Sequence, residues 1–176
     1  MDWLSEIVSG KELDSAKRER TKDYIFTTQV EEAQARYESD GWEFDRALAR
    51  RRVKLKKKKP TDEIFENRVW TMLYKLGFSH MNRDRSFSVD YCQNGKSSSK
   101  QIDVLAADNE ILLLIECKCA NRPGTQSNFK TDIEAIADYR RHVFNQLKQK
   151  FPTQKMVCVF ATNNYDLGDK NKDLLA

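Results

Sequence analysis

The segment Gln101–Cys119, with the sequence QIDVLAADNEILLLIECKC, restricts what this chain can fold into more than any other part of it. Two stretches rich in Ile, Val and Leu flank an Asp-Asn-Glu triplet of turn-forming composition. This pattern predicts two antiparallel strands joined by a tight turn. If the turn is centred between Asn109 and Glu110, Asp103 lies directly opposite Glu116 on the neighbouring strand.

Two opposed carboxylates need a positive group between them. Opposed side chains on one sheet face lie about 4.5–5.5 Å apart at Cβ, so Asp103 and Glu116 repel each other. Oxygen ligands without a complete protein cage suit Mg²⁺, or Mn²⁺ in its place. Lys118 lies on the same face as Glu116, because side chains alternate along a strand. The segment therefore predicts a divalent-cation site beside an ammonium group.

A purely structural interpretation of the same residues is also open. Asp103 would then end a strand, and Glu116 and Lys118 would form a salt-bridged pair at a sheet edge. The four consecutive apolar residues Leu112–Ile115 argue against this interpretation. They predict a strand buried on both faces, where charges are costly unless they are paired or bound to a metal.

The spacing of these three charged residues carries a family resemblance. Asp103, Glu116 and Lys118 follow an Asp-x12-Glu-x-Lys pattern, which resembles the motif of the PD-(D/E)xK nuclease superfamily. Ile102 stands where the motif's name has Pro. The resemblance implies a restriction-endonuclease-like core. It also implies that Asp103, Glu116 and the backbone carbonyl of Cys117 bind the metal, and that Lys118 lies beside the attacking water.

A second part of the resemblance lies in a helix predicted over 62–76. The helix ends at Gly77, and its spacing turns Glu66 towards the core, where a carboxylate needs a partner. The run ENRVWTMLYKLGF, which begins at Glu66, resembles the first helix of archaeal Holliday-junction resolvases and implies that Glu66 reaches the metal site. A structural role stays open, because the helix dipole favours Glu in a first turn. The residues that we expect this helix to bury are Phe65, Val69, Met72, Leu73 and Leu76.

Two further elements are predicted between this helix and the hairpin. Alternating side chains predict a strand over 86–92. The polar sequence QNGKSSSK predicts a flexible loop over 93–100. We expect Lys96 and Lys100 in this loop to contact the DNA backbone.

After the hairpin, apolar spacing predicts a core-packing helix over 131–150 and a buried strand over 156–162. A crossover makes this strand parallel to the second hairpin strand. The resulting order over 61–164 is α-β-β-β-α-β, a mixed central sheet flanked by helices, and it is the core order that the nuclease resemblance implies. The expected core residues of the helix are Ile133, Ile136, Ala137, Val143, Phe144 and Leu147.

A charge run closed by Pro60 predicts a boundary between two domains. We expect residues 1–59 to form a small basic α/β unit, and residues 60–176 to form the nuclease-like domain. The predicted elements of the first unit are short amphipathic helices within 1–20, a strand over 23–28, a helix over 29–39 and a strand over 41–55.

The segment Arg46–Lys59 contains nine basic residues and no acidic one. Such a run indicates either a polyanion partner or a solvated linker. The residues in it that we assign to contacts with a nucleic-acid backbone are Arg50, Arg51, Arg52, Lys54, Lys56, Lys57, Lys58 and Lys59.

The overall composition indicates a folded protein that is not embedded in a membrane. The chain of 176 residues is 39% hydrophobic and 33% charged, and it contains no apolar stretch of membrane-spanning length. Its start lacks the features of a secretion signal, so the expected location is the cytoplasm. The four cysteines are expected to be reduced. The last residues, DLGDKNKDLLA, resemble the start of a helix, and we expect a further domain after them.

These observations predict a metal-dependent endonuclease that hydrolyses DNA phosphodiester bonds, in restriction, phage defence or repair. The alternative is a nuclease-like module without activity that binds DNA or helps to assemble a larger protein. The opposed carboxylates argue against this alternative, because binding alone does not need them. An enzyme acting on RNA is a third interpretation, although the chain lacks aromatic-rich RNA-binding motifs. The sequence leaves a homodimer open.

Overall fold

A computed structural model gives the fold of this chain and describes residues 3–30, 40–93, 95–126, 129–166 and 168–169. The chain forms two compact units. One unit combines Met1–Arg20 with Thr61–Ala176, and the other is Thr21–Pro60. This division differs from the predicted one, in which residues 1–59 formed a single unit. The difference arises because an N-terminal strand pairs with the main sheet.

The elements of the larger unit are interrupted in the chain by the three strands of the smaller one. A 3-10 helix covers Trp3–Glu6. In chain order the remaining elements are β1 (Ile7–Ser9), α1 (Gly10–Thr21), β2 (Tyr24–Gln29), β3 (Glu43–Leu48), β4 (Arg52–Lys57), α2 (Thr61–Lys75), β5 (His80–Asn82), β6 (Ser88–Gln93), β7 (Lys96–Gln101), β8 (Val104–Ala107), β9 (Ile111–Cys119), β10 (Thr125–Gln126), α3 (Lys130–Leu147), β11 (Lys155–Asn163) and β12 (Tyr165–Asp166).

Five strands form the central sheet of the larger unit, in the order β1-β5-β8-β9-β11. β9 and β11 are parallel, as predicted from the crossover, and the other neighbours are antiparallel. The sheet is therefore mixed, and the predicted α/β class is confirmed. The elements α2, β5, β8, β9, α3 and β11 occur in this order along the chain, but β6 and β7 lie between β5 and β8, and β10 lies between β9 and α3.

The first strand of that order is not the predicted one. The sheet uses β5, whereas β6 pairs with β7 in a separate two-stranded hairpin. The three residues of β5 are too few to show a periodic pattern. The polar segment predicted as a loop forms β7, because its backbone is satisfied by β6. A left-handed Gly95 (φ 75°) lies beside the tip of this hairpin.

The hairpin of β8 and β9 has the predicted register. Val104 pairs with Ile115, and the same register continued by one residue sets Asp103, which precedes β8, opposite Glu116. All four residues of β8 are buried, and β9 lies between β8 and β11. The carboxylate of Asp108 accepts hydrogen bonds from the Glu110 and Ile111 amides at 2.8 and 2.9 Å, which fixes the turn.

One side of the central sheet is covered by α2, which presents Val69, Trp70 and Leu73 to it. Two of the residues expected to be buried are not, since Met72 is 53% exposed and Leu76 is 69% exposed. The buried face is rotated because it also carries Glu63, Glu66 and Asn67, whose polar groups have partners inside the fold. Gly77 has a φ of 95° and ends the helix, as expected.

The other cluster of core residues includes Val143 and Leu147 of α3, together with Tyr139, which was not predicted. Ala137 is exposed rather than buried. β11 was expected to be a buried strand, but most of it is only partly buried because it lies at an edge of the sheet.

The smaller unit contains an antiparallel sheet in the order β2-β4-β3. The single strand predicted over 41–55 is two strands, because Arg50 and Arg51 adopt left-handed conformations and turn the chain between them. Most of the helix predicted over 29–39 lies outside the described residues, as does most of the C-terminal helix expected after Asp166. No described helix is long and apolar enough to cross a membrane.

Candidate functional site

Asp103 lies immediately before β8, at the open end of the central hairpin. Its Oδ2 accepts a hydrogen bond of 2.7 Å from the Cys117 amide. Burial raises the pKa of Asp103 to about 6; the Cys117 hydrogen bond opposes this rise, and the charges of Glu116 and Glu66 add to it. The site therefore has an excess of negative charge around Asp103.

A buried asparagine fixes the backbone around Asp103. Asn82 of β5 is fully buried, and its side-chain amide donates to the carbonyls of Asp84 and Asp103 at 2.9 and 3.1 Å. Its side-chain oxygen accepts a hydrogen bond from the Leu105 amide at 3.0 Å. One side chain thus connects β5, the loop after it and the start of β8. This role could not be predicted, because a single Asn in a strand of three residues forms no recognisable pattern.

Glu116 lies between two ammonium groups. The Nζ atoms of Lys100 and Lys118 are each 3.2 Å from one of its carboxylate oxygens. Lys118 shares the face of Glu116, as the strand alternation predicted. Lys100 also lies 4.9 Å from the ring centre of Tyr139. Lys100 was expected to contact the DNA backbone from a loop; the structure instead places it on β7, beside the Glu116 carboxylate.

Lys118 has a second carboxylate partner, which the sequence reasoning missed. Asp132, in the first turn of α3, lies 2.9 Å from its Nζ. Burial lowers the pKa of Lys118, but the bonds to Asp132 and Glu116 outweigh this effect and leave the pKa above its ordinary value. The ammonium group is therefore held between β9 and α3. The only signal available was an acidic residue in a predicted first turn, and such residues are common.

Glu66 faces the core, as expected, but its direct partner is an arginine. Arg85, in the loop after β5, binds both carboxylate oxygens of Glu66, with Nε–Oε2 and Nη2–Oε1 distances of 2.5 and 2.7 Å. The same guanidinium contacts Glu63 and Asp62 at 3.1 Å each. These bonds, first of all that to Glu66, raise the pKa of Arg85. Glu66 thus participates in a two-point ion pair that the sequence did not indicate.

One cleft of about 360 Å³ is lined by several of these residues. Its lining includes the carboxylates predicted for the site, the cations paired with them, and Tyr165 of β12. The charged residues around the cleft are Asp62, Glu66, Arg85, Lys100, Asp103, Glu116 and Lys118. The structure therefore brings together the three motif residues and places Glu66 at the same cleft.

The groups that the cleft offers to a divalent cation are carboxylates. Among the described residues, no three His, Cys, Asp or Glu side chains are grouped so as to hold a metal ion. Two carboxylates remain, that of Asp103 just before β8 and that of Glu116 on β9, and within the described chain Asp103 Oδ1 accepts no hydrogen bond. Two carboxylates supplemented by water suit Mg²⁺ or Mn²⁺. Burial raises the pKa of the Cys117 thiol, and this side chain packs in the core, so it is not a ligand.

The predicted nucleic-acid contacts of the smaller unit do not all share one surface. Arg52, Lys54 and Lys56 alternate along β4 with Val53 and Leu55, which are buried. The three cations therefore project from the opposite sheet face. Two of these cations have acidic neighbours: Lys54 lies 3.4 Å from Asp45, and Lys56 lies 3.9 Å from Glu43.

The other predicted contacts lie at the ends of this sheet or in the second hairpin. Arg50 and Arg51 form the turn between β3 and β4. The Lys59 ammonium lies 5.6 Å from the ring centre of Tyr24. Lys96 is exposed at the start of β7.

Comparison with known proteins adds little to this geometry. No family model matches the chain, and no curated protein matches it. Among solved structures, the crystal structure of protein VC1899 from Vibrio cholerae is similar with a TM-score of 0.38 and 12% sequence identity. The match covers 98% of this chain and 50% of that one, so this chain spans half the length of VC1899. A likeness of this degree supports no conclusion about fold family or activity.

Proposed function

We propose that this chain is a metal-dependent nuclease domain that hydrolyses phosphodiester bonds in DNA. The observation that carries the proposal is the place of Asp103 at the open end of a buried hairpin, where it accepts a hydrogen bond from the amide next to Glu116, with Lys118 on the face of Glu116. The three side chains line one cleft. A structural salt bridge would not need two opposed carboxylates, one of them half-buried with its pKa raised towards neutrality.

Asp103 and Glu116, with the backbone carbonyl of Cys117, would hold the cation. A bound Mg²⁺ or Mn²⁺ supplies Lewis acidity towards the phosphate. The charges of Glu116 and Glu66 near Asp103 favour such an ion, because it would offset their repulsion of the Asp103 carboxylate. The Cys117 amide orients the Asp103 carboxylate through their hydrogen bond.

Lys118 supplies a fixed positive charge beside this pair. Its ion pair with Asp132 holds the ammonium group in the lining of the cleft. A cation in that position stabilises the charge that develops on the phosphorane and orients the attacking water. Lys100 contacts the other carboxylate oxygen of Glu116 and orients that carboxylate.

One observation favours the inactive-module alternative. Both carboxylate oxygens of Glu66 are bound by Arg85, so the third predicted ligand is not grouped with Asp103 and Glu116. A binding module could use the same fold and the basic strand β4 without any cation. The two functions differ in whether DNA is cut.

The decisive experiment incubates supercoiled plasmid with the protein and either Mg²⁺, Mn²⁺ or a chelator. We expect nicking or linearisation with either ion and none with the chelator. Asp103→Asn and Lys118→Ala, purified in parallel, should each reduce the rate by at least about a hundredfold, since each removes a group that acts on the metal or on developing charge. Equal cleavage by parent and variants would show that the activity comes from a contaminant or from another site. No cleavage by the parent under any ion would support the binding module.

A further inference from the structure

A second depression lies along the other side of α3 from the core. It is an open groove of about 790 Å³ between this helix and the start of β11. Three cations line it, Arg140, Arg141 and Lys148, together with the amide of Asn145. Phe144 and Met156 provide its apolar floor. The groove shares no lining residue with the cleft that contains Asp103.

The charge of this groove is uncompensated. No acidic side chain lines it, and within the described chain none of its three cations forms an ion pair. The cations of the cleft differ in this respect, because Arg85, Lys100 and Lys118 all contact carboxylates. Three unpaired charges on one helix face attract a polyanion, and the field is strengthened by the concave, partly apolar wall.

The helix α3 connects the groove with a residue of the cleft. The first turn of this helix reaches Lys118 through Asp132. A helix rises by about 1.5 Å per residue, so Arg140 lies about 12 Å and Lys148 about 24 Å along the axis from Asp132. A DNA strand advances by about 3.4 Å per nucleotide, so these distances correspond to roughly four and seven base pairs.

We propose that the groove between α3 and β11 binds the phosphate backbone of the DNA duplex on one side of the bond to be cleaved. The inference rests on the proposed nuclease function for its choice of polyanion. The groove and its three unpaired cations are observed independently of that function. Contacts to phosphate carry no base information, so the groove contributes to affinity and orientation for every sequence alike. It holds the duplex in line with α3 while the cleft engages the phosphate to be attacked.

The test is equilibrium binding of the full chain to a fluorescent 24-base-pair duplex in chelator, measured by anisotropy over a range of salt concentrations. The groove variant is Arg140→Ala, Arg141→Ala and Lys148→Ala combined. The matched control removes three exposed cations from α1 and α2, as Lys11→Ala, Arg68→Ala and Lys75→Ala. Circular dichroism and thermal melting confirm that both variants are folded.

We expect the groove variant to bind at least tenfold more weakly at 0.1 M salt. We also expect the slope of log K against log salt to become less negative by roughly 2–3, because each lost phosphate contact removes about 0.9 from its magnitude. The control should stay within about threefold of the parent. Equal effects of the two variants would overturn the proposal. No effect of the groove variant would also overturn it and would point to an acidic protein as the partner.

The same experiment separates this proposal from the nuclease function. A groove variant that loses affinity, in a protein whose parent never cuts DNA, would support the groove and reject the nuclease. A groove variant that binds like the parent, in a protein that does cut DNA, would reject the groove alone. If the parent binds no duplex in chelator, the groove proposal fails.

Discussion

Asp103→Asn is expected to stabilise the metal-free protein. The carboxylate is half-buried beside Glu116, and its pKa of about 6 lies above the ordinary value of 3.8. This difference corresponds to about 3 kcal/mol, which solvent screening of a half-buried group reduces to about 1–2 kcal/mol. Asparagine removes the charge but keeps an oxygen that can accept the hydrogen bond from the Cys117 amide. The expected rise in melting temperature is roughly 2–8 °C.

The pH dependence of this effect follows from the direction of the pKa change. Below about pH 4 the Asp103 carboxyl is protonated in both the folded and the unfolded protein, so parent and variant differ little. As the pH rises from 4 to 6, the unfolded state ionises first, and the parent loses stability relative to the variant. Above about pH 6 the loss is complete and constant. The stabilisation by Asn should therefore grow between pH 4 and pH 6 and stay level at pH 7.

Urea denaturation in chelator at pH 4, 5, 6 and 7, followed by tryptophan fluorescence, measures this difference. The matched control is Asp138→Asn on the exposed side of α3, which should change the free energy of unfolding by less than about 0.5 kcal/mol. A variant that is less stable than the parent at pH 7, or a difference that does not depend on pH, would refute the electrostatic account of the site.

Three further predictions concern the partners of the site and the basic run. Asp132→Asn should lower the cleavage rate about tenfold without changing the Kd for DNA in chelator, because it releases Lys118 from its fixed position; a changed Kd with unchanged cleavage would contradict that role. The double variant Glu66→Gln with Arg85→Met removes an ion pair without changing the net charge. If Asp103 and Glu116 hold the cation alone, Mg²⁺ should raise the melting temperature of this double variant as much as it raises that of the parent. Loss of this Mg²⁺ effect in the double variant would identify Glu66 as a ligand. Neutralising Lys56–Lys59 should make the slope of log K for DNA against log salt less negative by up to roughly 3–4 and leave metal binding unchanged. An unaltered slope would identify the run as a solvated linker.

The central hairpin was predictable because its information is local. The apolar runs on either side of a polar turn determine both the strands and their register, so the Val104–Ile115 pair, which Asp103 and Glu116 adjoin, follows from adjacent sequence. The position of Lys118 follows from strand alternation. The inward direction of Glu66 was likewise contained in the spacing of one helix, and the structure agrees, with Glu66 only 6% exposed.

The partners of these residues were not predictable, because each comes from a distant segment. Arg85 lies in a loop without periodicity, 19 residues after Glu66, and Asp132 lies on the helix after the hairpin. Lys100 was placed in a loop because the Ser-rich sequence of β7 has low strand propensity, yet pairing with β6 overrides that preference. Helices within residues 1–20 were predicted and are present, but the strand β1 between them was missed for a similar reason. β1 has three residues, and its pairing with β5 spans more than 70 positions in the chain.

The pairing of β1 with β5 has a practical consequence for anyone who trims this chain. A protein that begins at residue 60, where composition alone marks a boundary, would lack β1 and leave one edge of β5 unpaired. It would also uncover Met81 and Trp70, which are buried in the same cluster as Val8. Bare strand edges next to apolar surface recruit strands from other molecules. Such a fragment should precipitate or associate through its sheets, and a loss of solubility or activity in it would reflect self-association rather than the chemistry of the cleft.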